Sequence, residues 1–287
     1  MKTYKDAILV PISDIHSGGS TALFPDHQMQ LAVGNREPGY IQKIIRRQWL
    51  ESLDLIKQRR NKRRLILVLN GDMVDGDHHG SVENFSTLQA DQVEIACELI
   101  DELLQRIGFD SKTDKLYMTK GTYVHAGKQA QAEEQIARNF DAVPFISAGE
   151  EEQTRYLHHQ LKLSINGKRF NIQHEGATVG RRPWTEDNGL FYLLKTKWFK
   201  HLQGKHDLAD YYIYSHLHQY QQATYAPQPD VTLNARITPA WQFRTSYAEK
   251  FDEMDKVGNY YLTIDSDGTV KEYLDQLEYM STQVVKL

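Results

Sequence analysis

The sequence AILVPISDIH, residues 7–16, joins an apolar run to two residues of the types that bind metal ions. The run at residues 7–12 predicts a buried strand, and Asp14 and His16 follow where this strand should end. The sequence LILVLNGD, residues 65–72, repeats the arrangement and places Asp72 directly after a second apolar run. In open α/β sheets, ligands bind beyond the carboxyl ends of the strands. We therefore expect these side chains to meet at one edge of a sheet.

Histidines follow three further predicted strands in the same way. These strands are predicted at residues 116–118, 169–173 and 211–214, and the histidines that follow them are His125, His174, and the pair His216 and His218. Carboxylates and imidazoles hold divalent Mn, Fe or Zn, and an aspartate can bridge two such ions. A two-metal site stabilises both the attacking and the leaving oxygen of a phosphoryl transfer. The complete set therefore predicts a metal-dependent phosphoesterase.

The rest of the chain alternates strands and helices early and is richer in strands late. Helices are predicted at residues 40–60, 84–107, 127–140 and 188–202, and further strands at residues 156–165, 260–264 and 269–274. The dipeptide Asn166-Gly167 predicts a tight hairpin turn before His174. Residues 17–39 are rich in Gly and Pro, and we expect an irregular rim insertion there. The simplest organisation is one α/β domain spanning residues 1–287, with parallel pairing early and mixed pairing late.

The composition is that of an ordinary globular protein, with 40% hydrophobic and 25% charged residues among 287. A net charge of −4 gives no global attraction to nucleic acid or to an anionic membrane. The single cysteine, Cys97, excludes a disulfide within the chain, which fits a reducing compartment. No stretch is long enough to span a membrane, and residues 1–10 are unlike a signal peptide. We therefore expect a cytoplasmic protein that does not bind membranes.

In order and spacing, the motifs resemble those of the calcineurin-like metallophosphoesterases over most of the chain. The family's Asp-x-His, Gly-Asp and Gly-His-x-His motifs correspond to Asp14-Ile15-His16, Gly71-Asp72 and Ser215-His216-Leu217-His218, with Ser in place of the last motif's Gly. The resemblance implies an α/β fold, an αββα sandwich with mixed sheets and a metal site at the carboxyl ends of the strands. It also implies two divalent metal ions, with Mn²⁺ expected first and Fe, Zn, Ni or Mg as alternatives.

Carried over residue by residue, the resemblance implies a set of ligands for each ion. Asp14, His16 and His218 would hold the first ion, His174 and His216 the second, and Asp72 would bridge the two. Asp72 is therefore expected to be essential for catalysis as well as for metal binding.

The chain departs from the family at the third motif, where Gly121-Thr122-Tyr123-Val124-His125 stands in place of Gly-Asn-His. Thr122 occupies the position of the family's metal-binding Asn, and the histidine comes later. Some phage-encoded relatives have a similar Gly-Thr-x-x-His form. His125 is either the acid that protonates the leaving group or a metal ligand that replaces the missing Asn, and we expect the acid role.

Four residues are predicted to support the site or the substrate, namely Thr122, Asp75, Arg181 and Arg182. Asp75 either hydrogen bonds to a metal-binding histidine or is an ordinary loop carboxylate. The two arginines either hold a substrate phosphate, with Trp184 stacking on a base, or belong to a surface loop. The basic run at residues 57–64 is either a phosphate-binding patch or a solvated helix end, and we expect the helix end.

The favoured function is that of a nuclease-like phosphodiesterase, which uses a water activated by two metal ions to hydrolyse a phosphate ester, with nucleic acid as the leading substrate. One alternative is a phosphomonoesterase acting on nucleotides or phosphoproteins. Another is a metal-containing binding protein without activity, which the altered third motif suggests. The sequence leaves the oligomeric state and the identity of the metal open.

Overall fold

The computed structural model describes residues 5–77, 84–127, 129–146, 154–178, 185, 188–243 and 255–279. The helices in these residues are α1 (Tyr40–Arg60), α2 (Gln89–Ile107), α3 (Tyr123–Ala126), α4 (Gln131–Asn139) and α5 (Asn188–Leu202). The strands are β1 (Ala7–Ile12), β2 (Met29–Leu31), β3 (Gly34–Arg36), β4 (Arg64–Asn70), β5 (Lys115–Thr119), β6 (Phe145–Ile146), β7 (Thr154–Arg155), β8 (Leu157–His158), β9 (Leu161–Ile165), β10 (Lys168–Ile172), β11 (Tyr211–Tyr214), β12 (Gln221–Gln228), β13 (Val231–Ile237), β14 (Asp255–Ile264) and β15 (Val270–Tyr279). None of these helices is long and apolar enough to cross a bilayer.

Most of the described strands belong to two mixed sheets. The first sheet has the order β15-β14-β1-β4-β5-β8, in which β1, β4, β5 and β8 are parallel neighbours. The strands β14 and β15 complete it in antiparallel pairing. The second sheet has the order β12-β13-β11-β10-β9, with three parallel strands in its middle and an antiparallel strand at each edge. Parallel neighbours end at the same edge of a sheet, so residues that follow these strands are brought together.

Both faces of the first sheet are buried, which explains why its central strands are apolar throughout. In β1, Ile8, Val10 and Ile12 pack in the core that also contains the buried faces of α1 and α2. Ala7 and Leu9 point the other way and pack against residues of the second sheet. The two sheets therefore lie face to face with an apolar core between them.

Helices cover the outer faces of both sheets. Trp49 and Leu53 of α1 are fully buried against the first sheet. In α5, Leu190, Leu194 and Trp198 recur every four residues and pack on the outer face of the second sheet. The layers therefore follow the order helix, sheet, sheet, helix, and the expected αββα sandwich with mixed sheets is confirmed.

The helix predicted at residues 84–107 was wrong at its start, because α2 begins at Gln89. The backbone N–H of Phe85 donates to the carbonyl of Gly18 at 3.1 Å, which holds this part of the chain in an extended conformation. The pairing partner lies far away in sequence, so helical spacing could not reveal it. The helix predicted at residues 127–140 is likewise shorter, because α4 begins only at Gln131. The preceding short helix, α3, ends at Gly127, whose φ is 75°.

The strand predicted at residues 156–165 is two strands that belong to different sheets. Leu157–His158 pairs with β5 in the first sheet, whereas Leu161–Ile165 pairs with β10 in the second. The turn predicted at Asn166-Gly167 is confirmed, since both residues have positive φ values of 48° and 83°, as a two-residue hairpin turn of this type requires. The segment at residues 17–39 contains the small β2–β3 sheet in addition to irregular structure.

Candidate metal centre

The strand ends of the two sheets converge on one region of the molecule. The residues after β1 and β4 are joined directly, because the N–H of Asp14 donates to the carbonyl of Gly71 and that of His16 to the carbonyl of Asp72, both at 3.1 Å. The residues after β10 and β11 are joined in the same way, and the N–H of His216 donates to Asp14 Oδ2 at 3.3 Å. These bonds place the predicted ligands of both sheets around a common centre.

Five of the predicted ligands have left-handed backbone conformations, which residues other than glycine rarely adopt. The φ values are 54° at Asp14, 50° at His16, 53° at Asp72, 73° at His216 and 53° at His218. Each such residue costs about 1–2 kcal/mol relative to a right-handed conformation. Strain of this kind persists where the surrounding structure enforces it, and it is concentrated at functional sites.

Asp14, His16 and His218 form the first group of donor atoms. Asp14 Oδ1 lies 3.3 Å from His218 Nε2 and 3.7 Å from His16 Nε2. Asp14 and His16 are buried, whereas the His218 side chain is 31% exposed. The group is therefore open to solvent on the side of His218.

Asp72, His174 and His216 form the second group. Asp72 Oδ2 lies 2.9 Å from His174 Nε2 and 4.0 Å from His216 Nδ1. His174 Nε2 also lies 3.8 Å from Asp14 Oδ1. The two groups are therefore adjacent, and the His174 ring lies between their carboxylates.

Two observations support a fit between these residues and divalent cations. Oδ1 of Asp14 is buried and has no hydrogen-bond partner in the described part of the chain, which is costly for a carboxylate unless a cation compensates it. The Nε2 atoms of His16 and His218 face each other at 3.1 Å. Two ligands of one ion at about 2.1 Å each lie roughly 3.0–3.4 Å apart, and the set of imidazoles and carboxylates suits Mn, Fe or Zn. The residues present therefore fit the metal ions that the resemblance implies.

Without a cation, the same atoms hold protons instead. Burial lowers the pKa of His174, but the carboxylates of Asp14 and Asp72 outweigh it and raise that pKa to about 9. Burial likewise opposes protonation of His16, yet Asp14 and Asp75 raise its pKa to about 10. Burial would raise the pKa of Asp72, but the neighbouring histidines hold it well below its usual range. Metal ions compete with these protons, so metal affinity should fall as the pH falls.

Hydrogen bonds fix the rings of the two buried histidines. His16 Nδ1 donates to Asp75 Oδ1 at 3.0 Å, and His174 Nδ1 donates to the carbonyl of Asn70 at 2.6 Å. Because both acceptors are oxygens, the proton is on Nδ1 and the Nε2 atom of each ring faces the centre. Metal-binding imidazoles are usually held in this way by their second nitrogen.

Thr122 contacts the carboxylate that is predicted to bridge. Its N–H donates to Asp72 Oδ1 at 2.7 Å, and its hydroxyl donates to Asp72 Oδ2 at 3.0 Å. The residue at the family's Asn position therefore lies beside Asp72 and holds both of its oxygens.

His125 belongs to neither of these two groups, but with His16 and Asp75 it forms a further group of donor atoms. Its Nδ1 donates to the carbonyl of Asp75 at 2.7 Å, and its ring packs edge-on against His16 with centroids 4.4 Å apart. Its Nε2 lies 4.0 Å from Asp72 Oδ2. Burial, and then the charge of His16, lowers the pKa of His125 to about 4. In the metal-free protein the ring is therefore neutral, with the lone pair of Nε2 facing the centre.

Glu133 of α4 is a further component of the centre, and the sequence analysis did not identify it. It is fully buried, and its carboxylate accepts hydrogen bonds from the N–H of Gly121 at 2.8 Å and the N–H of Met73 at 3.4 Å. These two N–H groups belong to the loops that carry Thr122 and Asp72. Burial, and then the charge of Asp72, raises the pKa of Glu133 to about 7.

The sequence does contain a signal for Glu133, because it lies three and four residues before Ile136 and Ala137 on the buried stripe of α4. A carboxylate on the apolar stripe of a helix needs a polar partner. That signal marks a buried group, and only the fold places it under the centre.

A chain of buried polar side chains lies beneath the centre and joins both sheets. The hydroxyl of Ser215 contacts Asn70 Nδ2 at 2.6 Å and the hydroxyl of Thr238 at 2.7 Å. Asn70 Oδ1 accepts a hydrogen bond from the hydroxyl of Thr119 at 2.6 Å. Ser215 is outside the left-handed region, so it replaces the family's Gly without backbone strain, and its hydroxyl ties β11 to β4.

Several predicted positions are not part of this centre. The basic run at residues 57–64 precedes β4 and lies at the opposite end of that strand. Arg60 forms an ion pair with Asp114 at 2.7 Å, and Arg63 forms one with Asp265 at 3.1 Å. These cations are therefore engaged within the protein. Arg181, Arg182 and Trp184 lie outside the described residues.

Comparisons with known proteins give only remote similarities. No protein-family model and no curated protein matches the chain. Among solved structures, the chain is similar to Vps29 from Entamoeba histolytica complexed with zinc, at 11% identity and a TM-score of 0.37, over 94% of this chain and 98% of that one. It is similar to an uncharacterised protein from Streptococcus pneumoniae, described as a predicted phosphoesterase, at 11% identity and a TM-score of 0.31 over 94% and 98% of the two chains. It is also similar to purple acid phosphatase PPD1 from yellow lupin, at 11% identity and a TM-score of 0.41 over 95% and 52%. At these values the similarities decide neither the activity nor the ligands of the chain.

Proposed function

We propose that the chain is a divalent-metal-dependent hydrolase of phosphate esters, and specifically a phosphodiesterase. The observation that carries this proposal is the position of His174, whose Nε2 lies 2.9 Å from Asp72 Oδ2 and 3.8 Å from Asp14 Oδ1. The two donor groups therefore meet at a single ring. Two adjacent cation sites suit phosphoryl transfer, because both the attacking and the leaving oxygen need stabilisation.

The proposal assigns a task to each donor group. Asp14, His16 and His218 would hold one divalent cation, His174 and His216 a second, and Asp72 would lie between them. When bound, the cations supply the Lewis acidity that activates water and neutralises charge on the phosphoryl oxygens. The His216 and His218 side chains are 41% and 31% exposed, so the substrate phosphate approaches from their side.

His125 is proposed to protonate the leaving oxygen. The hydrogen bond from Nδ1 to the carbonyl of Asp75 fixes the ring, and Nε2 lies 4.0 Å from Asp72 Oδ2, beside the reacting centre. The ring must be protonated for this role. An anionic phosphate nearby favours the protonated form, because an opposite charge raises the pKa of an imidazole.

The charge around the centre supports a diester in preference to a monoester. A monoester dianion carries one more negative charge than a diester and needs additional cations. The described residues that line the cleft beside His174 include the cation Lys120 and the carboxylate of Glu175. A singly charged diester suits such a surface better.

The test is hydrolysis of bis(p-nitrophenyl) phosphate and p-nitrophenyl phosphate, each with added Mn²⁺ and with chelator. We expect chelator-sensitive turnover that favours the diester. Asp72→Asn should abolish turnover and reduce the bound metal measured by mass spectrometry. Asp207→Asn, at a side chain that is 95% exposed, serves as the matched control and should behave as wild type. Full activity of Asp72→Asn with normal metal content would contradict the assignment.

A further inference from the structure

The face of α5 that points away from the second sheet carries large apolar side chains. Ten large hydrophobic residues are exposed in the described part of the chain, and four of them belong to this one helix, namely Phe191, Tyr192, Phe199 and Leu202. Their exposed fractions are 37%, 61%, 50% and 60%. A helix that only covers a sheet usually has polar side chains on its outer face. The outer face of α5 therefore exposes more apolar surface than packing on the sheet requires.

These side chains form one continuous stripe along the helix. Residues three or four apart are neighbours on a helix surface, and Lys195 lies one turn after Phe191 and one turn before Phe199. Leu202 continues the stripe beyond Phe199. At the other end, the Phe191 ring lies near Tyr192, with centroids 6.0 Å apart. We call this set of residues, Phe191, Tyr192, Lys195, Phe199 and Leu202, the α5 face.

Positive charge accompanies the α5 face. Residues 188–206 contain no Asp or Glu, and their four lysines are Lys195, Lys197, Lys200 and Lys205. Burial, and then the charges of Lys200 and Lys162, lower the pKa of Lys197, so these cations lie close enough to repel one another.

The two carboxylates that follow this segment in sequence are engaged with other cations. Asp207 Oδ2 lies 3.9 Å from Lys162 Nζ. Asp210 Oδ2 accepts a hydrogen bond from the N–H of Arg169 at 2.7 Å and lies 3.4 Å from the Nε atom of the same residue. The surface around α5 is therefore locally basic, although the chain as a whole has a net charge of −4.

We propose that the α5 face docks the protein on the surface of an anionic lipid bilayer. Helices at such surfaces combine aromatic and aliphatic side chains, which enter the boundary between headgroups and acyl chains, with lysines that attract the lipid phosphates. The α5 face has both components, and its charge is opposite to that of the bilayer. The long stem of Lys195 lets its ammonium group reach the headgroups while Phe191 and Phe199 on either side of it are buried.

This inference differs from the expectation that the net charge alone supports. At physiological ionic strength, interactions between exposed charges are screened beyond about 8 Å, so the lysines of α5 act on a bilayer and the distant carboxylates do not. Docking of this kind is peripheral and requires no helix that crosses the bilayer.

The start of α5 is packed on the loop that follows His174. A Cβ atom at Gly189 would collide with the carbonyl of Thr178 in that loop. The end of the α5 face at Phe191 and Tyr192 is therefore the end nearer to the metal centre, and docking would hold the centre beside the lipid surface. The inference goes beyond the proposed hydrolase function and does not depend on it.

The test measures co-sedimentation of the full chain with sucrose-loaded vesicles of phosphatidylcholine, prepared with or without phosphatidylglycerol. Chelator is present throughout, so that metal ions cannot bridge the centre to lipid phosphates. We expect sedimentation with the anionic vesicles and little with phosphatidylcholine alone. Sedimentation should decrease as the salt concentration rises, because salt screens the lysines.

Two double variants remove the two components of the α5 face separately. Phe199→Gln with Leu202→Gln removes apolar surface and should lower the partition coefficient by about tenfold or more. Lys195→Gln with Lys200→Gln removes two positive charges, and each charge near an anionic bilayer contributes about fivefold to the partition coefficient. All four side chains are exposed, so the fold should be retained.

The matched controls are exposed residues of α1. Tyr40→Gln, at a side chain that is 75% exposed, removes apolar surface, and Lys43→Gln with Lys57→Gln removes two positive charges. Both controls should sediment like wild type. Absence of sedimentation with phosphatidylglycerol vesicles, or equal losses in the α1 and α5 variants, would overturn the inference. Binding to soluble polyglutamate without binding to vesicles would overturn it as well, since it would assign the α5 face to an acidic protein.

Discussion

Thr122 holds both carboxylate oxygens of Asp72, through its N–H at 2.7 Å and its hydroxyl at 3.0 Å. The resemblance to metallophosphoesterases places Thr122 where the family has a metal-binding Asn. In this chain the shorter side chain contacts the predicted bridging carboxylate. The departure at the third motif is therefore compatible with an intact centre, in which residue 122 orients a ligand.

Removing the Thr122 hydroxyl should weaken the centre. Thr122→Val keeps the shape and the N–H bond but loses the donor to Asp72 Oδ2. Groups that orient metal ligands contribute about 10- to 100-fold in metal affinity or activity, and we expect a loss in that range. Calorimetric titration with Mn²⁺ measures it, and Thr122→Ser, which retains a hydroxyl, should stay near wild type. Unchanged Mn²⁺ affinity and turnover in Thr122→Val would show that the hydroxyl has no such role.

Glu133 should matter for stability as well as for the centre. Glu133→Ala leaves the N–H groups of Gly121 and Met73 without their acceptor, and each buried unpaired donor costs about 1–3 kcal/mol. Urea unfolding of the metal-free protein measures the loss. Glu51→Ala is the control, because Glu51 is exposed on α1, and substitutions at such surface positions usually change stability by no more than about 0.5 kcal/mol. Equal losses in the two variants would contradict the support that we assign to Glu133.

The metal-free protein should lose stability as the pH rises. Folding raises the pKa of His174 from 6.5 to about 9 and that of His16 from 6.5 to about 10. Below pH 6.5 the raised pKa of Glu133 and the lowered pKa of His125 act in opposite directions. A group with a raised pKa contributes its full stabilisation below its unfolded pKa and loses it as the pH passes the folded value. The Tm of chelator-treated protein should therefore fall between pH 6.5 and about 10. Added Mn²⁺ should counter the fall, since metal ions bind the deprotonated ligands. If the Tm of the chelator-treated protein stays constant or rises over this pH range, folding does not raise the pKa values of these groups.

The leaving group should reveal the role of His125. Alkoxide leaving groups need a proton, whereas p-nitrophenolate leaves readily without one. If His125 is the acid, His125→Ala should slow hydrolysis of an alkyl diester by about 10²- to 10⁴-fold and that of bis(p-nitrophenyl) phosphate far less. Its metal content should stay normal. Loss of one metal ion, with equal slowing of both substrates, would identify His125 as a ligand instead.

The local sequence pattern predicted those parts of the fold in which residues close in sequence are also close in space. The bounds of α1, α5, β1 and β11 coincide with the apolar periodicity, because each element buries one regular set of side chains. The split of residues 156–165 between two sheets could not be predicted in this way. It depends on pairing with β5 and β10, and both pairings are set by the tertiary fold.

The centre was predictable to a similar extent. Strand-end positions pointed to Asp14, Asp72 and His174, because an apolar run followed by a metal-binding residue is a local signal. Glu133 accepts a hydrogen bond from the backbone of a distant loop, and the carbonyl of Asn70 accepts one from the distant His174 side chain. No spacing rule detects such contacts.

The position of β1 in the first sheet has a consequence for how the molecule forms. Leu9 pairs with Ile66 on one side and with Leu262 on the other. Contacts so distant in sequence slow folding, because a long loop must close before they form. On the ribosome, one edge of β1 stays unpaired until β14 has been synthesised. Asp14 and His16 are attached to that strand, so the site matures only when nearly all of the described chain is available.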